Sequence, residues 1–197
     1  MTIAPPPPST NFWTYERYMD TPIQGRFEII EGVLHQMAAP SWDHQEIQGN
    51  LYAAYRAYSE TARRGRALMA PFDLLIRRSP RLRTRQPDVF FISHEQLAAA
   101  GGPPRRGPLE IGPELVVEII SDSETEAMIE GKTQDYVSIG VREMWRVHRE
   151  TRTVDVVELT AEGAVILQSY GAGETVASRV FSDLTVAVNA IFADPML

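Results

Sequence analysis

The sequence contains no cysteine, a single lysine and no apolar run long enough to span a membrane. Lack of cysteine excludes disulfides, Cys-based zinc sites and a thiol nucleophile, and it fits a reducing interior. A transmembrane helix needs about 20 consecutive apolar residues, so none is expected. The start, Met1-Thr2-Ile3-Ala4 followed by four prolines, has no basic stretch leading into an apolar core. A secretory signal is therefore not expected, and the cytoplasm is the expected location. There is no internal repeat, no Gly-rich phosphate loop and no Gly-x-Ser-x-Gly motif. Positive charge is also scarce, with a formal net charge of −7. Phosphate contacts supply most non-specific affinity for nucleic acid, so indiscriminate DNA binding is disfavoured.

The chain has 197 residues and is 44% hydrophobic, which suits one globular domain with a sizeable core. Residues 1–11 read as a disordered Pro-rich tail and 12–197 as the domain. The basic residues are unevenly spread. Arg77, Arg78, Arg81, Arg83 and Arg85 fall within nine residues, Arg63, Arg64 and Arg66 form a second cluster, and Arg105 and Arg106 a third. Such clusters either rim a phosphate-binding site or are solvated loop charges. The loop 101–108, with its two arginines, reads as a substrate-side flap or a plain surface loop.

The most informative stretch is Leu115 to Ile120, an apolar run interrupted only by Glu118. A short run rich in Val and Ile is a strand covered on both faces. A carboxylate there is costly unless it has a partner. Two candidates are Asp88, at the start of the apolar strand Val-Phe-Phe-Ile, and Lys132, on the helix that follows Glu118. Lys132 is the only lysine; the other 18 cationic side chains are arginine. Arginine cannot release a proton near neutral pH, whereas a perturbed lysine can. Two carboxylates on neighbouring strands make a hard-oxygen site for a divalent cation, and a nearby ammonium can orient water or offset charge on a phosphate. The plainer alternative for Lys132 is a surface ion pair with Glu124, Glu126, Glu130 or Asp135. For Tyr136, one turn on, it is core packing.

Pro87-Asp88, Glu118 in Val-Val-Glu-Ile-Ile-Ser, and helical Lys132 with Tyr136 resemble the Uma family of restriction-endonuclease-like proteins, in the PD-(D/E)xK superfamily. The resemblance runs from about residue 12 to 192. It includes Phe27 to Gly32 as an N-terminal hairpin, Pro40 to His44 before a long helix, Ala70 to Asp73, and Gly140 to Trp145. Two departures stand out. The common superfamily lysine would occupy the place of Ile120, so Lys132 must serve from the helix. Ser121-Asp122-Ser123 replaces a Ser-Pro-Ser-like turn, with Ser123 and Glu126 in capping-box spacing.

The resemblance implies an α/β fold: a restriction-endonuclease-like mixed β-sheet flanked by helices, with added antiparallel hairpins. It implies a DNA endonuclease dependent on Mg2+ or Mn2+, with Asp88 and Glu118 as metal ligands, Lys132 assisting, and a homodimer. Glu31 either reaches the metal site as a third acid or is the turn residue before Gly32. His44 either contacts a phosphate or water, or is a structural residue at a helix start. Asp73 is either a further ligand or a partner for the arginines after it. Three alternatives remain open at this stage. One is an inactive nucleic-acid-binding or protein-interaction module on the same fold. Another is a hydrolase of small phosphoesters. The last is an α/β domain whose Asp88 and Glu118 pair with arginine.

The remaining elements are coarser expectations. A short helix covers 11–20. A long one runs from Ser41 or Asp43 to Thr61 with Ile47, Leu51, Ala54 and Tyr58 inward. Strands are expected over 65–76, 84–92 and 143–148, and hairpins over 26–37 and 154–170. The Lys132 helix should run from about Glu124 to Gly140. The C-terminal strands carry no acid–base cluster and read as scaffold or dimer surface.

Overall fold

A computed structural model describes residues 12–121 and 124–194. The expected tail lies outside these residues, as does Ser123. The first element is α1 (Tyr15–Asp20), capped by Thr14, whose hydroxyl accepts the Arg17 amide at 3.2 Å. The hairpin β1 (Phe27–Ile30) and β2 (Val33–Gln36) turns at Glu31 and Gly32. Both turn residues have positive φ, 52° and 75°, the geometry a two-residue hairpin loop demands. Next come α2 (Trp42–Ala62), β3 (Gly65–Met69), β4 (Leu74–Arg77), β5 (Arg83–Arg85), β6 (Val89–Ser93) and α3 (His94–Ala99). They are followed by β7 (Leu115–Ile120), α4 (Glu126–Ser138), β8 (Glu143–His148), β9 (Thr153–Thr160) and β10 (Gly163–Tyr170). The described chain closes with β11 (Thr175–Ala177), β12 (Thr185–Ala187) and α5 (Val188–Ile191).

Six strands form the central sheet in the order β10-β9-β8-β7-β6-β3. Only β7 and β8 run parallel, and α4 is the crossover that joins them. Strand alternation divides the core into two layers. Val89, Phe91, Val117 and Trp145 pack with Ile47, Leu51, Tyr55 and Tyr58 of α2. Phe90, Ile92, Val116 and Met144 pack with Tyr136 of α4. The expected mixed sheet flanked by helices is thus found, with α2 on one face and α4 on the other. Each large side chain buried here contributes about 1.5–3 kcal/mol.

Two expected strands are each broken by a proline. Residues 65–76 split into β3 and β4. The Ala70 amide makes a ladder bond to the Asp88 carbonyl at 3.0 Å, and Pro71 then has no N–H to continue it. Residues 84–92 split into β5 and β6 around Gln86-Pro87-Asp88. Strands β4 and β5 pair with each other in a separate hairpin. Asp88 therefore stands at the mouth of the sheet, just ahead of β6, tethered by its amide to the Val117 carbonyl at 3.1 Å. Helix α4 begins at Glu126, not Glu124, because Thr125 caps it by accepting the Met128 amide at 3.3 Å. That leaves Glu124 outside the helix. In α2, Tyr55 is fully buried beside Ile47, Leu51 and Tyr58, and Ala54 packs partly buried against the same cluster.

Candidate active site

Glu118 lies near the end of β7 and is 3% exposed. Because α4 returns over the sheet before β8, residues one turn apart on its inner face reach the same strand. Lys132 Nζ donates to Glu118 Oε2 at 2.6 Å, and the Tyr136 hydroxyl donates to Oε1. Lys132 also donates to Glu124 Oε1 at 2.7 Å. Its side chain is 12% exposed, so this is no surface ion pair. Tyr136 is core, as its burial suggested, and also the second donor to Glu118.

Asp88 sits across from this cluster. Its Oδ2 accepts the Ile119 amide at 2.8 Å. Its Oδ1 faces Arg26 Nη2 and His44 Nε2, each at 3.4 Å. Burial would lift the Asp88 carboxyl, but His44, the Ile119 amide and Lys132 outweigh it and hold it below the usual range. Burial pushes Glu118 the other way, up to about 7, with the Asp88 charge adding to the rise and Lys132 opposing it. Burial alone would lower Lys132, yet the charges of Glu118 and Glu124 raise it well above its ordinary value. Lys132 is therefore held as an ammonium, and its surroundings favour electrostatic work over proton abstraction.

These groups open into one cleft of about 830 Å³, lined by Arg26, Glu28, His44, Asp88, Glu118 and Lys132 among others. Among the described residues no cluster of three or more His, Asp or Glu is arranged to hold a metal. The donor set is two hard carboxylates. That fits Mg2+ or Mn2+ rather than Zn2+, since Mg2+ is commonly held by one or two carboxylates and fills its other positions with water and phosphate oxygens.

The cleft gathers four of the five expected site residues: Asp88, Glu118, Lys132 and His44. Glu31 is elsewhere, at the hairpin turn, where it pairs with Arg77 and Arg83. The acid that β1 sends into the cleft is Glu28, which was not singled out from the sequence. It is 5% exposed and bonds Arg85 Nη1 at 2.6 Å. Its signal was the one that marked Glu118, an acid inside an apolar strand. Arg26 was also missed, and nothing in its local pattern marks it. Asp73 accepts from Tyr18 at 2.6 Å and Gln86 at 3.0 Å, not from the arginines that follow it.

The arginine cluster ahead of Asp88 is largely internal wiring. Arg78 pairs with Glu110, Arg83 with Glu31 and Asp135, and Arg85 with Glu28 and Asp135. The loop 101–108 packs beside α1, with Gly107 against Met19, and does not line the cleft. Arg85 is 5% exposed and holds two carboxylates at 2.6 Å each. Arg85→Met is expected to cost about 3 kcal/mol in urea unfolding, because removing one partner strands buried charge. A loss under about 1 kcal/mol would show that Gln86 and Arg83 suffice to satisfy Glu28 and Asp135.

A family model described as "Uma2: Putative restriction endonuclease" matches residues 14–189. The chain belongs to the Uma2 family. Among solved structures, it resembles a "putative nuclease belonging to DUF820" from Anabaena variabilis ATCC 29413. The TM-score is 0.73 at 17% identity, covering 91% of this chain and 97% of the other, so the nuclease-like fold is shared. A search of curated proteins finds no match. Among the described residues no helix is long and apolar enough to cross a membrane.

Proposed function

We propose that this Uma2 protein is a divalent-cation-dependent endonuclease that hydrolyses phosphodiester bonds in DNA. The observation that carries the proposal is the convergence of Asp88, Glu118 and Lys132 in one cleft, from the entry to β6, from β7 and from α4. Asp88 and Glu118 are the ligands for Mg2+ or Mn2+. The bound cation would supply Lewis-acid polarisation and a more acidic water. Tyr136 and Lys132 fix both Glu118 oxygens in place, each of which retains a lone pair for a cation. Lys132 spends two of its three donors on Glu118 and Glu124; the third would serve the phosphate, where charge builds up during hydrolysis. The cysteine-free composition fits work in a reducing cytoplasm. Supercoiled plasmid should be nicked with Mg2+ or Mn2+ and left intact with EDTA or by Glu118→Gln. Nicking that survives both would rule out this site.

One observation favours a second reading. With Arg78, Arg83 and Arg85 engaged by acids, little of the expected basic rim is left to track a long DNA backbone. A small phosphoester would then be the substrate. Turnover of a chromogenic phosphodiester by a preparation that leaves plasmid uncut would select it.

We also propose a homodimer, with β10 as its contact. This edge strand carries no charge from Gly163 to Tyr170 and exposes Val165, Ile166 and Leu167. An uncharged apolar edge is a template for strand pairing. Sedimentation should show a dimer that Ile166→Lys converts to monomer. A wild type that is monomeric at micromolar concentration would remove the proposal.

A further inference from the structure

We infer that Arg26, His44 and the N-terminus of α2 form a phosphate-binding half-site that seats a phosphate of the substrate strand beside Asp88. The inference rests on the phosphodiesterase reading above and names the groups that grip the substrate.

The distances carry it. Arg26 Nη2 and His44 Nε2 approach the same oxygen, Asp88 Oδ1, and both stop at 3.4 Å. Charge-assisted bonds close to about 2.7–2.9 Å. The other buried cations here do close: Arg85 reaches its carboxylates at 2.6 Å, and Lys132 reaches Glu118 at 2.6 Å. Arg26 Nη2 does hydrogen-bond Asp88 Oδ1, but at the long end of the range, 3.4 Å. Two nitrogens are also left over: Arg26 Nε and His44 Nδ1 are buried with no hydrogen-bond partner. Both side chains thus keep hydrogen-bonding capacity beyond their long contacts to Asp88.

Helix α2 adds to this. It is 21 residues long, and its N-cap Ser41 makes no side-chain cap bond. Pro40, Ser41 and His44 line the cleft, so the positive end of the helix opens there. The acid in its first turn, Asp43, is paired with Arg149 at 2.8 Å. Position completes the case. Helix α2 covers one face of the sheet and α4 the other. A phosphate at the strand ends would meet Arg26 and His44 from the α2 side and Lys132 from the α4 side.

The test uses the full chain as wild type, Arg26→Ala and Arg26→Lys, with folding checked by circular dichroism. Inorganic phosphate is titrated in Mg2+ buffer while the His44 imidazole resonances are followed by NMR. The wild type should show a saturable shift, weakened at least tenfold in Arg26→Ala and partly kept in Arg26→Lys. In single-turnover cleavage, Arg26→Ala should be slowed about 100-fold, the scale of losing one donor to a reacting phosphate. Millimolar guanidinium should restore part of that rate in Arg26→Ala and do nothing for the wild type. Phosphate that leaves His44 unmoved, or binds Arg26→Ala as it binds the wild type, overturns the half-site. A wild type that binds phosphate through Arg26 but nicks no DNA upholds the half-site and removes the nuclease reading.

Discussion

Lys132→Met is expected to slow phosphodiester cleavage by about 1,000-fold while the protein stays folded. The ammonium is held charged between Glu118 at 2.6 Å and Glu124 at 2.7 Å, so it does two things at once. It fixes the carboxylate that is to bind the cation, and it places positive charge in the cleft. Methionine keeps the length and apolar stem of the side chain and removes both effects. Loss of a buried cation usually strands its partners at a cost of 3–5 kcal/mol. Here the cost is smaller, because Glu118 already sits near 7 and can take up a proton when Lys132 leaves. Lys132→Arg should not restore the rate, since the larger guanidinium presents its donors in a rigid planar fork and cannot take the place of the compact ammonium between Glu118 and Glu124. Plasmid nicking with matched unfolding curves checks this. A Lys132→Met protein with more than a tenth of the wild-type rate would show that the lysine is structural.

Glu118→Gln is expected to abolish cleavage and to stabilise the metal-free protein at alkaline pH. The Glu118 carboxyl lies at about 7 in the folded chain against an ordinary 4.5, first because it is buried and then because Asp88 is near. A raised carboxyl means that the folded state binds the proton more tightly than the unfolded state does. Between about 4.5 and 7 the folded state thus carries the extra proton, and stability falls as pH rises through that window. A displacement of this size corresponds to roughly 3 kcal/mol by pH 8. Glutamine mimics the protonated acid and avoids this loss. In EDTA, E118Q should unfold at higher temperature than the wild type at pH 8, and the gap should shrink toward pH 5. At subsaturating Mg2+, wild-type cleavage should run the other way, dropping as pH falls below about 7, where the proton taken up by Glu118 competes with the cation. Parallel melting curves across this range would contradict the account of Glu118.

The residues with most chemistry were legible because each broke a local pattern. Glu118 interrupted an apolar run, and Lys132 was the only lysine. The hairpin at Glu31 and Gly32 and the strand β8 also followed from turn chemistry and pattern, while the sheet flanked by helices followed from the family resemblance. What was hidden depended on long separations in sequence. Glu28 and Arg85 are 57 residues apart, and Arg85 and Asp135 are 50 apart. Nothing local says that these arginines are used inside the fold. In β1 the residues Phe27, Glu28 and Ile29 are all buried, so alternation gave no sign of which acid faced the cleft. Glu31 drew attention as a third acid through the family resemblance, but its place in the turn before Gly32 directs it to Arg77 and Arg83. Prolines 71 and 87 marked strand breaks that apolar content masked, and the second of these puts Asp88 at the sheet mouth.

Calorimetric titration of Mn2+ into the wild type and Asp88→Ala tests the central claim most directly. The account predicts saturable binding near one ion per chain that is lost in the variant, with plasmid nicking lost alongside it. A wild type that takes up no Mn2+, or an Asp88→Ala protein that binds it equally well, would contradict the assignment of Asp88 and Glu118 as a cation site.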